Sequence, residues 1–190
     1  MKLERVLPYS KKILKLAVAE GDIAVDCTVG NGYDTLFLTE LVGESGHVYG
    51  FDIQKEALKN TRALLEEHGA NSRVTLFEAS HAEVLERISQ EQHSQIRGAI
   101  FNLGYLPGGD KEIVTVPDST IKAVDNLLSV MKKEGVIVIV VYHGHPEGQV
   151  ERDALLDYVT NLDQKKAHVL QYRFMNQVNN PPFIIAIEKK

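Results

Sequence analysis

Ile23-Ala-Val-Asp-Cys-Thr-Val-Gly-Asn-Gly32 runs from a short apolar strand into a glycine turn, and a helical stretch, Asp34 to Leu41, follows it. Gly30 and Gly32 carry no Cβ, so the chain can turn sharply there and a ligand can approach the backbone. In an open α/β sheet, ligands bind at the carboxyl ends of the strands, beside such a loop. A dinucleotide fingerprint would place a third small residue at position 35, where Thr35 stands, and would not require an acid at position 26. Asp26 ends the strand ahead of the glycines, a placement that suits a cationic ligand better than a pyrophosphate. Taken alone, the glycine pair need only shape a turn, with Asp26 as a helix cap.

Outward from this stretch, β-rich runs alternate with helical patterns. Ile23–Cys27, His47–Phe51, Arg73–Phe77, Ala99–Leu103 and Val136–Tyr142 read as strands, and the most apolar of them lack the polar alternation of a half-exposed strand. Ile53, Ala57, Leu58, Thr61, Leu64 and Leu65 make one stripe of helical period. Ile121, Val124, Leu128 and Met131 make another, with Pro117, Asp118 and Ser119 as start signals and Gly135 as the stop. A third helix is expected over about 150–162 on Val150, Ala154, Leu155 and Tyr158. Such alternation implies a parallel sheet with right-handed crossovers. His168–Phe174 and Phe183–Glu188 are joined by a segment too short and too rich in Asn and Pro for a crossover helix, so they should pair antiparallel. The expected fold is one α/β domain over residues 1–190, doubly wound, with seven mostly parallel strands and one reversed strand near the C-terminal edge.

Asp52 closes the strand His47-Val-Tyr-Gly-Phe, where an acid can accept hydrogen bonds from both hydroxyls of a ribose. A cationic group near Asp26 and a ribose at Asp52 together describe S-adenosylmethionine. The order strand–Asp–Gly–Gly–helix–strand–Asp resembles motifs I and II of the class I S-adenosylmethionine-dependent methyltransferases, with Thr28 where many members carry the first glycine. The resemblance implies a Rossmann-like fold and cofactor contacts from Asp26, Thr28, Gly30, Asn31, Gly32, Asp34, Asp52, Ile53, Gln54 and Asn102. It also places adenine contacts at Ser80 and His81, although Ser80 reads equally well as the N-cap of a helix beginning near His81.

Ala99-Ile-Phe-Asn-Leu-Gly-Tyr-Leu-Pro-Gly-Gly-Asp-Lys111 ends a strand at Asn102 and continues into a loop bearing Tyr105, Asp110 and Lys111. Rigid turns with polar side chains at a strand's carboxyl end suit a substrate-holding loop. Asn102 and Tyr105 are spaced like the Asn-Pro-Pro-Tyr motif of amino-group methyltransferases, with Leu103 and Gly104 in place of the prolines. His143 and His145 follow the last parallel strand and, on an extended segment, would share a face. Two ligands without an evident third do not make a metal site, so no metal is expected.

Asn102–Lys111, then Tyr142-His-Gly-His145, then Asn179-Asn-Pro-Pro-Phe183 are together similar to the small rRNA methylase family. Some of its members methylate the aminomethyl group of 5-aminomethyl-2-thiouridine at the tRNA wobble position. That resemblance implies the anticodon loop of tRNA as substrate, with Asn102 placing the amine and Tyr105 contacting the base. Asp110, His143 or His145 would take the proton, and Leu106, Gly108, Gly109, Lys111 and Tyr142 would line the substrate site. An rRNA or small-molecule amine acceptor, and a non-catalytic binding module, are the competing readings.

Charge does not decide among them. Over 190 residues the net charge is −5, while residues 1–20 carry Lys2, Arg5, Lys11, Lys12 and Lys15 against Glu4 and Glu20. Such a local excess can neutralise phosphates or form a solvated helix face. No apolar run approaches the roughly 18 residues of a membrane span. A single cysteine, Cys27, excludes an internal disulfide, and no secretory signal is evident. A cytoplasmic enzyme is expected, its oligomeric state open, a homodimer included.

Overall fold

The computed structural model describes residues 2–104 and 114–190. The expected site residues Tyr105, Leu106, Gly108, Gly109, Asp110 and Lys111 lie outside the described residues. Five strands form the parallel part of the sheet: β1 (Ile23–Asp26), β2 (His47–Asp52), β3 (Val74–Glu78), β4 (Ile96–Leu103) and β5 (Val136–Val141). The tail adds β6 (Ala167–Tyr172) and β7 (Phe183–Lys189), and the spatial order is β3-β2-β1-β4-β5-β7-β6. β7 runs antiparallel to both β5 and β6. It is the single reversed strand that the short connection implied. That connection turns at Asn179 and Asn180, with φ of 65° and 48°, values asparagine tolerates better than most side chains.

β5 shows why the strands lack polar alternation. Ile137, Ile139 and Val141 pack into the core cluster under α6 (Pro117–Val130) and α7 (Pro146–Thr160). Val138 and Val140 pack into a second cluster, with Leu14 of α1 (Val6–Ala17) and with Phe37 and Leu38 of α2 (Tyr33–Val42). Both faces are covered, and each buried aliphatic side chain contributes about 1.5–3 kcal/mol.

α1 was not among the expected elements. It buries Val6, Ser10 and Leu14 at four-residue spacing, and Val18, just past its end, fills the space a Cβ on Gly98 would need. Gly98 lies near the start of β4. At the other end of the helix, Tyr9 stacks on Tyr172 with ring centroids 4.0 Å apart, and the Tyr172 hydroxyl donates to the Glu4 carbonyl at 2.8 Å. Tyr172 closes β6. The amino-terminal half of α1, with Arg5 at its cap and Lys11, therefore lies at the carboxyl end of the sheet.

Two helical stripes differ from the reading of the sequence. α3 (Lys55–Glu67) begins after Ile53, which is 58% exposed at the end of β2 and belongs to no buried stripe. α7 buries Gly148, Glu151, Leu155 and Val159, while Val150 is exposed. The phase is turned because a Cβ on Gly148 would meet the Tyr142 carbonyl and because Glu151 finds hydroxyl partners inside.

Candidate functional site

The tips of β1, β2 and β4 meet around the glycine loop. Asp26 at the end of β1 is wholly buried. Its Oδ2 accepts from the Thr35 hydroxyl at 2.6 Å, and its Oδ1 accepts from the Thr28 backbone N–H at 3.2 Å. Burial, then the neighbouring Asp34 carboxylate, pushes the Asp26 carboxyl up to about 7, while the bonds from Thr35 and Thr28 pull the other way. The sequence suggests Asp26 for a cationic ligand or, taken alone, for a helix cap. The structure places it beneath the loop, as the acceptor that ties the first turn of α2 to the end of β1.

Asp52 clamps the loop from the β2 side. Its Oδ2 accepts from the Gly30 N–H at 2.9 Å and its Oδ1 from the Gln54 N–H at 2.9 Å. Gly30 and Gly32 have φ of 54° and 84°. A Cβ at Gly32 would come within 2.7 Å of Thr61 Oγ1, the hydroxyl that donates to the Gly30 carbonyl at 3.1 Å. Only glycine allows both the left-handed backbone and the close packing of α3. Asn31 lies beside Asn60, whose amide donates to Asn31 Oδ1 at 3.5 Å.

Thr28, at the position of the missing glycine, has a specific use. Its hydroxyl accepts from the Asn102 backbone N–H at 2.7 Å, joining the β1 loop to the tip of β4. The Asn102 side chain donates through Nδ2 to Asp34 Oδ2 at 2.7 Å, and Lys11 Nζ lies 3.3 Å from Asp34 Oδ1. With Nδ2 committed to Asp34, the amide oxygen of Asn102 is left as an acceptor.

His81 lies between the tips of β1 and β4. Its Nδ1 is 2.9 Å from the Cys27 carbonyl and its ring meets Phe101 edge-on, with centroids 5.4 Å apart. A carbonyl only accepts, so Nδ1 carries the hydrogen and Nε2 keeps a lone pair. Nε2 is buried without a hydrogen-bond partner among the described residues. Burial holds the imidazole below its usual pKa, hence neutral. Ser80 caps the short 3-10 turn His81–Glu83, accepting from the Ala82 N–H at 3.2 Å.

His143 and His145 do not share partners. The His143 Nε2 is 3.0 Å from the Pro181 carbonyl and its Nδ1 is 3.3 Å from Arg152 Nη1, so both ring nitrogens are engaged. Burial, the largest influence, lowers its pKa. His145 caps α7, accepting from the Gly148 N–H at 3.1 Å, with Glu147 Oε2 3.3 Å from the same nitrogen. The two rings turn to different neighbours, His143 to the β6–β7 connection and Arg152, His145 to the first turn of α7. Tyr142 is half-buried against the cluster that includes Leu14. No group of three or more His, Cys, Asp or Glu side chains among the described residues could hold a metal ion.

Four contributors were missed in the sequence: Thr35, Thr61, Lys11 and Glu151. Glu151 is 2% exposed, and its carboxylate accepts from the hydroxyls of Thr115 at 2.5 Å and Thr120 at 2.8 Å. The same Thr115 hydroxyl accepts from the Gly104 N–H at 3.0 Å, and the Thr115 N–H donates to the Gly104 carbonyl at 3.1 Å. Glu151 thus secures both ends of the segment that leaves Asn102. Two surface grooves, of about 380 and 360 Å³, lie elsewhere on the molecule, and no strand-tip residue lines either.

An adenosyl group fits the strand tips. Bare backbone at Gly30 and Gly32, a carboxylate at Asp52 and exposed apolar surface at Ile53 match a ribose and an adenine.

Comparison with known proteins agrees with this geometry. Residues 48–188 match the family described as "Putative rRNA methylase". The chain belongs to that methylase family. A relative from Arabidopsis thaliana, named tRNA (mnm(5)s(2)U34)-methyltransferase, chloroplastic, is 33% identical to this methylase-family chain over 181 residues. The match covers 91% of this chain and 65% of the relative's length. The crystal structure of an rRNA methylase of the same description from Clostridium thermocellum is 39% identical, covers 100% of both chains and superposes with a TM-score of 0.96. Another, from Streptococcus mutans, described as a "putative methyltransferase" in complex with SAH, is 37% identical over 99% of both chains, with a TM-score of 0.89. The seven-stranded sheet is thus that of the class I methyltransferases.

Proposed function

We propose that this chain is an S-adenosylmethionine-dependent methyltransferase that N-methylates the aminomethyl group of 5-aminomethyl-2-thiouridine at the wobble position of tRNA. The observation that carries the reading is the linked set Thr28–Asn102–Asp34 beside the glycine loop, which holds one amide oxygen ready at the tip of β4. The name of the Arabidopsis relative supports the acceptor, and the SAH in the Streptococcus mutans structure supports the cofactor. Bacterial relatives with crystal structures support a cytoplasmic setting.

Asp52, Gly30, Gly32 and Ile53 would hold S-adenosylmethionine. Bound there, it supplies an electrophilic methyl carbon on a sulfonium. The chain's own work is to orient the acceptor, to dehydrate it and to take its proton. Asn102 Oδ1 accepts one N–H of the amine and so fixes the direction of the nitrogen lone pair. An alkylammonium has no lone pair, and removal from water disfavours the charged form. In the transfer, a bond forms between the nitrogen and the methyl carbon while the bond from sulfur to that carbon breaks. The amine then loses one proton, with Asp110, His143 and His145 as the candidate acceptors.

Mass spectrometry of tRNA nucleosides from cells with and without the gene tests the reading. Accumulation of 5-aminomethyl-2-thiouridine in its absence is expected. An unchanged nucleoside profile would contradict it.

A further inference from the structure

The chain is acidic overall, yet its cations are not spread evenly. α1 runs antiparallel to the parallel strands. Its Val18 end packs at the start of β4, while Lys11 reaches Asp34 and Tyr9 stacks on Tyr172 at the carboxyl end. The bond from Tyr172 to the Glu4 carbonyl sets Arg5, the exposed N-cap of α1, beside the strap that leaves β6. Arg173 begins that strap, and Arg173 and Arg152 both lie close enough to His143 to depress its protonation. Arg5, Lys11, Arg152 and Arg173 therefore rim the end of the sheet that carries Asn102. On the same rim, Tyr33 is 68% exposed at the start of α2, next to the Asp34 that Lys11 holds.

Lys11 is paired with Asp34 and Arg152 with Asp153, which leaves Arg5 and Arg173 as the exposed cations; with an exposed aromatic ring on the same rim they match a polyanion with unstacked bases. We propose that this face is the RNA-docking surface of the protein: Arg5 and Arg173 contact phosphates, and Tyr33 stacks on a base of the loop. The proposal rests on the reading of the substrate as RNA and adds where the RNA body lies. An anionic lipid surface would use the same cations and could also take the ring; the adjoining Asn102 site, read as taking a nucleoside, favours RNA.

The test is fluorescence anisotropy with a fluorescein-labelled anticodon stem-loop, titrated with the full chain at several salt concentrations. Arg5→Ser and Arg173→Ser should each lower the slope of log affinity against log salt by about 0.7–0.9, the value for one lost phosphate contact. Together they should weaken binding roughly tenfold or more at moderate salt. Tyr33→Ala should weaken binding by about fivefold or more with the slope unchanged, since stacking releases no counterions. Lys132→Ser, an equal loss of charge near the amino end of β5, should change neither quantity.

If the wild-type chain binds the stem-loop and the three rim variants bind it equally well, the docking surface is wrong and the substrate reading stands. If the wild type methylates a free aminomethyl nucleoside but does not bind the stem-loop, the docking surface is also wrong while methyl transfer stands. Capture by phosphatidylserine vesicles without binding to RNA would overturn both the surface and the RNA substrate.

Discussion

Gly32→Ala probes the glycine loop and the helix behind it in one substitution. Alanine would have to hold a φ near 84°, which costs about 1–2 kcal/mol for a residue with a Cβ. The new methyl would also sit 2.7 Å from Thr61 Oγ1 and 2.9 Å from Thr61 Cγ2. Thr61 is fully buried and must move, giving up its hydrogen bond to the Gly30 carbonyl, worth about 1 kcal/mol. The sum is a loss of about 2–3 kcal/mol, read as a lower urea midpoint at constant m. Thr61→Ala removes the two closest atoms, so the double variant should be more stable than the sum of the single losses by about 1 kcal/mol. Cofactor affinity, measured by calorimetric titration, should fall roughly tenfold in Gly32→Ala and partly recover in the double variant. Additivity within roughly 0.3 kcal/mol would show that Gly32 and Thr61 do not press on each other, and the packing explanation would fail.

Three further outcomes follow from the same contacts. Asp26 has its carboxyl raised from 3.8 to about 7, so its favourable contribution is complete below about pH 4 and is lost as pH rises through about 7; Asp26→Asn should flatten that fall in a series of urea midpoints taken across the window. Asn102→Ala should cut kcat by roughly a hundredfold or more while S-adenosylmethionine affinity changes less than about threefold, because the amide acts on the acceptor. Glu151→Ala should raise KM for RNA or lower kcat by about tenfold with cofactor affinity unchanged, and Glu151→Gln, which keeps an acceptor for a threonine hydroxyl, should recover most of it. Equal losses in the two Glu151 variants, or a parallel loss of cofactor binding, would assign that residue to stability alone.

The sheet could be read from the sequence because its signal is local. β5 is apolar at every position, since both of its faces are covered, and the Asn/Pro-rich connection forbids a crossover before β7. The glycine loop was equally legible, because a left-handed turn leaves its mark in residue type. What was missed depends on partners distant in sequence. Asp26 looks like a free acid until Thr35, in the first turn of α2, is seen to donate to it. Glu151 sits on the inner face of α7 only because Thr115 and Thr120 meet it, and a charged residue otherwise reads as solvent-facing. α1 escaped notice because one of its three buried positions is Ser10, whose hydroxyl is satisfied by the Leu7 carbonyl at 2.7 Å. The two histidines could not be told apart in the sequence, because the Pro181 carbonyl and Arg152 that engage one and the Gly148 N–H that engages the other lie outside the segment that carries them.

The most direct measurement is calorimetric titration of the wild-type chain and of Asp52→Ala with S-adenosylhomocysteine. Saturable one-to-one binding by the wild type, weakened about tenfold or more in the variant, is the expected result. Absence of heat with the wild type, or equal affinity in both proteins, would mean that the tips of β1 and β2 do not hold the nucleoside.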